Sequence, residues 1–112
     1  MDRLTYFKQV IYEILNKYVN IQPVNSPNIC TQLICDEKRN SYQLIRLGFE
    51  NGRRVHYCVF HFDIRNEKIW IQQDNTDIPV AQLLLDLGIK RHEIVLAFHA
   101  PFIRELSDFA LE

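Results

Sequence analysis

Apolar residues near the start of the chain recur at steps of three and four: Leu4, Phe7, Val10, Ile11, Ile14, Leu15 and Tyr18. That spacing puts them on one face of a helix, with Lys8, Glu13, Asn16 and Lys17 covering the rest. Asp2 stands where an N-cap belongs. Residues 19–27 hold Pro23, Pro27 and several polar side chains, and read as a connection. From Ile29 to Asp36 the chain becomes β-branched and strand-like, and residues 36–40 form a polar turn.

Residues 42–50 read as the next strand, and Asn51-Gly52 between apolar runs predicts a two-residue type I′ hairpin, because both residues tolerate positive φ. The turn sets Glu50 against Arg53, Leu47 against His56, Ile45 against Cys58 and Leu44 against Val59. One face then carries Ile45, Leu47, Phe49, His56, Cys58, Phe60 and Phe62. It is the more apolar and is expected to meet the helices. The other carries Tyr42, Leu44, Arg46, Val55, Tyr57, Val59, His61 and Asp63. This mixed face is expected to stay open, as a surface for a partner or for self-association. Tyr42, Arg46, Tyr57, His61 and Asp63 are its candidate contact residues.

Arg65-Asn66-Glu67 then turns the chain into a strand over Lys68–Asp74. The turn wants positive φ near Glu67, where Glu costs about 1 kcal/mol relative to Gly. A loop of two residues and one of three put Trp70 on opposite faces, and the pattern leaves both open. Asp77 or Thr76 is expected to cap a second helix with Pro79 in its first turn, Val80, Leu83, Leu84 and Leu87 inward, and Gly88 ending it. Residues 94–98 are a short buried run after the polar Lys90-Arg91-His92. Residues 99–104 and onward are a turn and a short ordered segment, with Phe102 and Phe109 as anchors. The expected architecture is a single α+β domain over residues 1–112. It has an N-terminal helix, a four-stranded antiparallel meander, a second helix on the same face and a short C-terminal segment.

Composition narrows the function classes. The chain has 112 residues, 47% hydrophobic and 24% charged, as expected of a globular domain. Lys and Arg total 13 against 14 Asp and Glu, a net charge of −1, which argues against strong non-specific binding to phosphate backbones. Cys30 and Cys35, five apart, fall on opposite faces of a strand and cannot join in a disulfide, so the three cysteines read as reduced thiols of a cytoplasmic protein. The start, MDRLTYFK, lacks an export signal, and no apolar run approaches the ~20 residues that cross a bilayer.

Candidate chemistry is sparse. Asp36-Glu37-Lys38 has the acid-x-Lys form of a nuclease half-site, but no upstream Asp sits on a partner strand, and it reads as a solvated turn. His61 and Asp63 share a face and would need His99 from the tail to make a metal site, a weak set set aside in favour of hydrogen-bonded structure. His56 and Cys58 stand parallel on a strand, a poor nucleophile pair. There is no P-loop, no dinucleotide-binding glycine turn and no helix-turn-helix with a basic recognition helix. Arg53, Arg54, Lys90 and Arg91 are the candidates for direct DNA contact. No catalytic residue, metal or cofactor is called for.

RRVHYCVFHFDIRNEKIWIQQDNTDI, followed by LGIKRHEIVLAFHAPFIR, resembles the XisI family of small cyanobacterial fdxN-element excision controlling factors. The likeness covers nearly the whole chain: the N-terminal helix, the NGRRVH hairpin, KIWIQ with its D-x-T, and the AFHxPFxR tail. Departures are Glu67 where the family turns on Gly, Lys90 where Pro is common, and Asp108 where Gly precedes Phe-Ala. The resemblance implies a role in programmed DNA rearrangement, in which a site-specific recombinase excises an element and XisI-type proteins control that step with an XisH-like companion. It implies protein contacts rather than catalysis, and supplies no catalytic residues to carry over.

Overall fold

The computed structural model describes residues 2–21 and 27–112. Helix α1, Arg3–Val19, starts as expected, with Asp2 Oδ1 accepting from Thr5 N at 2.8 Å, and buries Phe7, Val10, Ile11, Ile14 and Leu15. Most of the predicted connection, residues 22–26, lies outside the described residues. Then come β1 (Ile29–Asp36), β2 (Ser41–Glu50), β3 (Arg53–Arg65), β4 (Lys68–Asp74), α2 (Val80–Asp86), a 3-10 turn (Arg91–Glu93), β5 (Ile94–Val95) and α3 (Pro101–Arg104). The sheet order is β1-β2-β3-β4-β5. Strands β1 to β4 form the predicted antiparallel meander, and β5 adds a fifth strand. It lies parallel to β4, because α2 carries the chain back across the sheet and delivers the expected buried run to its open edge.

The Asn51-Gly52 turn has φ of 52° and 77° and sets the predicted pairs Glu50–Arg53, Leu47–His56 and Ile45–Cys58. The ladder then shifts. Leu44 pairs with Phe60, not Val59, so Val59 is the extra residue of a β-bulge. One inserted residue reverses the parity of everything beyond it. Tyr42, Leu44, Phe60 and Phe62 therefore share a side and are fully buried in the core with α1. The expected assignment of faces is corrected accordingly: Ile45, Leu47, Phe49, His56 and Cys58 lie away from the helices, on the same side as His61 and Asp63. The physical reason is that the bulge gathers Tyr42, Leu44, Phe60 and Phe62 under one helix, where all four are fully buried. Tyr18 tilts onto Phe60 (5.7 Å), Phe60 stacks on Phe62 (5.9 Å) and Tyr12 meets Tyr42 edge-on (5.4 Å).

A second bulge falls between His61 and Phe62, opposite Gln72. Asn66 and Glu67, both left-handed (φ 52° and 61°), make a two-residue loop between Arg65 and Lys68, which places Trp70 beside Asp63 on the open side. Helix α2 packs Val80 and Leu84 into the same core as α1. Its expected Asp77 or Thr76 cap is replaced by Pro79, because Thr76 is spent on the preceding turn, where it bonds Asp74 and accepts from Ile78 N. Gly88 ends α2 at φ 94°, with Gly88 N bonding Leu85 O and Ile89 N bonding Leu84 O, a Schellman closure. In the tail, Phe109 packs against the core under Arg91, but Phe102 is 68% exposed and anchors nothing.

Gly48 has φ of 148°, and a Cβ there would stand 2.0 Å from Asn28 O, where the chain enters β1. Gly48→Ala should therefore lower stability by roughly 3 kcal/mol. Glu67→Gly should raise it by about 0.5–1 kcal/mol, because it removes left-handed strain from a non-glycine residue. Urea unfolding of both variants checks the two opposite signs.

Candidate functional site

The side of the sheet away from α1 and α2 is built by alternation along β1 to β4. Cys30, Gln32 and Ile34 lie on it from β1, Gln43, Ile45, Leu47 and Phe49 from β2, and Trp70 from β4. Ile34 is 48% exposed and Phe49 53%, whereas Ile45 is buried between its strand neighbours. The surface is thus apolar toward β1 and β2 and polar toward β3 and β4.

Its polar half centres on Asp63, which is only 5% exposed. Asp63 Oδ2 accepts from Arg65 Nη2 at 3.0 Å and Gln72 Nε2 at 3.2 Å, and Oδ1 lies 3.0 Å from His61 Nε2. Facing a carboxylate that can only accept, Nε2 of His61 is the protonated nitrogen. Ser41 Oγ lies 3.2 Å from that same nitrogen. A serine–histidine–aspartate relay needs the two ring nitrogens on separate partners, whereas here Ser41 and Asp63 both face Nε2 of His61. Beside it, Trp70 is held between the guanidinium groups of Arg65 (5.7 Å) and Arg104 (5.9 Å), and donates from Nε1 to Arg65 O at 3.1 Å. Arg104 also bonds the carbonyls of Ala97, His99 and Leu111, so the C-terminal segment is organised around one side chain.

The predicted contact residues are divided between two sides. His61 and Asp63 lie on the uncovered face. Tyr42 is fully buried against α1, and burial pushes its hydroxyl up to about 12. Arg46 and Tyr57 pair across β2 and β3 on the helix side, with Tyr57 38% exposed. Arg53 and Arg54 sit at the β2–β3 turn, where Arg54 lies over Phe49 at 5.2 Å. Lys90 and Arg91 precede β5, near the other end of β3, which is about 40 Å long at ~3.3 Å per residue. These four cations do not make one patch. His99 lies in the C-terminal segment with its ring against Phe98 at 4.4 Å. Among the described residues no group of three or more His, Cys, Asp or Glu converges as a metal site would require. Cys30, Cys35 and Cys58 are free, and burial pushes the Cys35 and Cys58 thiols up.

A concavity of about 720 Å³ opens where the start of α1 meets the β1–β2 and β3–β4 turns and the 3-10 turn. Arg3 crosses its wall to bond both oxygens of Glu93, which also accepts from Lys90 N at 2.9 Å. No spacing rule could have found this pair, because its members lie 90 residues apart.

The whole chain can now be set beside known proteins. The family model described as XisI protein matches residues 1–111. The chain belongs to the XisI family. Two solved structures share its fold closely. One is a XisI-like protein from Anabaena variabilis ATCC 29413, 35% identical, covering 97% of this chain and 99% of that one, with a TM-score of 0.89. The other is the fdxN element excision controlling factor XisI from the same organism, 33% identical, covering 99% of this chain and 100% of that one, with a TM-score of 0.85. No curated protein sequence matches significantly. Within this XisI-family chain, no helix of the described residues is long and apolar enough to cross a membrane.

Burial pushes the Glu93 carboxyl up, but the Arg3 guanidinium and the Lys90 N–H outweigh it and hold the carboxyl below its ordinary 4.5. A lowered folded value means the contribution to stability is complete above 4.5 and is lost as pH falls through the folded value. Arg3 is half exposed, so solvent limits the contribution to about 1 kcal/mol or less. Thermal melts below pH 4.5 should fall more steeply for the wild type than for Glu93→Gln, and parallel curves would remove Glu93 from the acid transition.

Proposed function

We propose that this chain is an accessory control factor for excision of a DNA element by a site-specific recombinase, acting through protein contacts with an XisH-like companion and not as an enzyme. Membership of the XisI family and the name of the second structural relative, an excision controlling factor, support this reading. The observation that carries the contact surface is the uncovered sheet face. His61, Asp63 and Arg65 are bonded to one another, while Ile34, Leu47 and Phe49 offer apolar area to a partner. A surface of this kind can be covered without stranding a charge, since the polar half is already satisfied internally. The docking surface is therefore the face bearing Leu47, His61 and Asp63. The Arg46 and Tyr57 pair stands on the other side of the sheet.

Direct DNA contact through Arg53, Arg54, Lys90 and Arg91 has less support, because the cations stand at two ends of the sheet and Arg54 and Arg91 are already stacked on Phe49 and Phe109. A metal-dependent reaction through His61, Asp63 and His99 has less still, since Asp63 is committed to His61, Arg65 and Gln72.

Co-expression with the XisH-like companion, then size-exclusion chromatography with light scattering, should yield a stable mixed complex. Leu47→Arg with His61→Ala should weaken it at least tenfold, as loss of an interface anchor does, with an unchanged circular dichroism spectrum. A complex of unchanged affinity would move the contact off this face. The absence of any complex would remove the companion.

A further inference from the structure

The C-terminal segment after β5 turns large apolar side chains outward. Among the described residues, the two most exposed of these are Leu106, at 83%, and Phe102, at 68%. Phe98 and Leu111, from the same stretch, are exposed as well. They do not sit on a loose tail. Ala110 N donates to Ile94 O at 2.9 Å, Val95 bridges Ala110, and Phe98 N donates to Ile71 O at 3.2 Å. Arg104 gathers the carbonyls of Ala97, His99 and Leu111, with its guanidinium over Trp70. Helical bonding continues past α3, from Glu105 N to Pro101 O and from Leu106 N to Ile103 O. Phe102 and Leu106 thus stand about one turn apart, as anchors do on a short helix that enters a groove. A segment ordered in advance loses less entropy on docking.

The charges around these anchors decide what can cover them. Glu105, Asp108 and Glu112 are exposed, and none joins an ion pair among the described residues. Arg104, the one cation after Pro101, is turned toward its carbonyls and Trp70, and Arg91 lies over the Phe109 ring. The segment is therefore acidic around an apolar centre. Acidic groups repel a nucleic-acid backbone and an anionic lipid surface alike. A two-fold contact between copies through this segment would set Glu105 and Asp108 near their own counterparts. A protein surface that offers apolar area edged by Lys or Arg complements both features. Trp70 joins the segment to the uncovered sheet face, so one partner can reach the two surfaces together.

We propose that residues 98–111 are a second contact element for the companion, with Phe102 and Leu106 seated in an apolar groove whose rim is basic. The inference rests on the companion reading above. It adds a site that the Leu47 and His61 substitutions leave untouched.

Isothermal titration of the purified chain with the XisH-like companion tests it. Phe102→Ser with Leu106→Ser should weaken binding at least tenfold, with an unchanged circular dichroism spectrum because both side chains are already exposed. Glu105→Lys with Asp108→Lys should weaken it about three- to tenfold at low ionic strength and flatten its salt dependence. No complex with the wild type removes the companion and this contact together. A complex that both variants leave unchanged keeps the companion and overturns the segment. Loss in the serine variant with an unchanged lysine variant overturns the basic rim. Light scattering of the chain alone tests the other occupant. A mass that grows with concentration, and falls back in the serine variant, makes that occupant another copy and overturns the proposal. If the serine variant does not fold, the salt dependence of the lysine variant decides between the same results.

Discussion

One extra residue in β3 governs how this protein is put together. A strand presents alternate side chains to opposite faces, so a ladder running from the Asn51-Gly52 turn without interruption would have set Phe60 and Phe62 on the side opposite Tyr42 and Leu44. Inserting Val59 as a bulge brings all four together beneath α1. The core, the position of both principal helices and the identity of the free face follow from that shift. Ile69 and Ile71, paired with Ile64 and Phe62 on the turn side of the irregularity at Gln72, continue the buried row.

The free face is consequently neither a second core nor an ordinary solvated surface. Its carboxylate is nearly as buried as a core residue, and each of its oxygens has a partner. Such a network is rigid, and its polar groups are spoken for before any partner arrives. Trp70, clasped by Arg65 and Arg104, links the rigid centre to the C-terminal segment. A surface set in this way suits recognition by shape and apolar contact better than proton transfer or metal binding.

The fold is also closed by contacts between parts of the chain far apart in sequence. Arg3 ties the first turn of α1 to Glu93, and Tyr6 bonds the Leu87 carbonyl at the end of α2. Gly48 gives the chain room to enter β1, which pairs with β2 without a register shift. XisI relatives only about a third identical keep the same architecture over essentially the whole chain. This fits a fold held by a few geometric requirements and by bulk apolar burial, for which many side-chain combinations serve.

Local chemistry determined much of this from sequence. Periodicity placed α1 and its buried residues, the Asn-Gly turn placed the β2–β3 hairpin and its first pairs, Gly88 ended α2, and the resemblance of the middle and tail named the family. These succeed because they depend on neighbours within a turn or two. Four features were decided only in three dimensions: the Val59 bulge, the capping of α2 by Pro79, the solvent exposure of Phe102 and the addition of β5 to the sheet. Each depends on which distant surfaces are available to cover a side chain or a strand edge. The grouping of the candidate contact residues on one face failed for the same reason. Tyr42, Arg46 and Tyr57 were grouped with His61 and Asp63 by counting in twos, and a single residue accommodated by core packing moved the two groups to opposite sides. Sequence can state the period of a strand, but only packing decides where the count is broken.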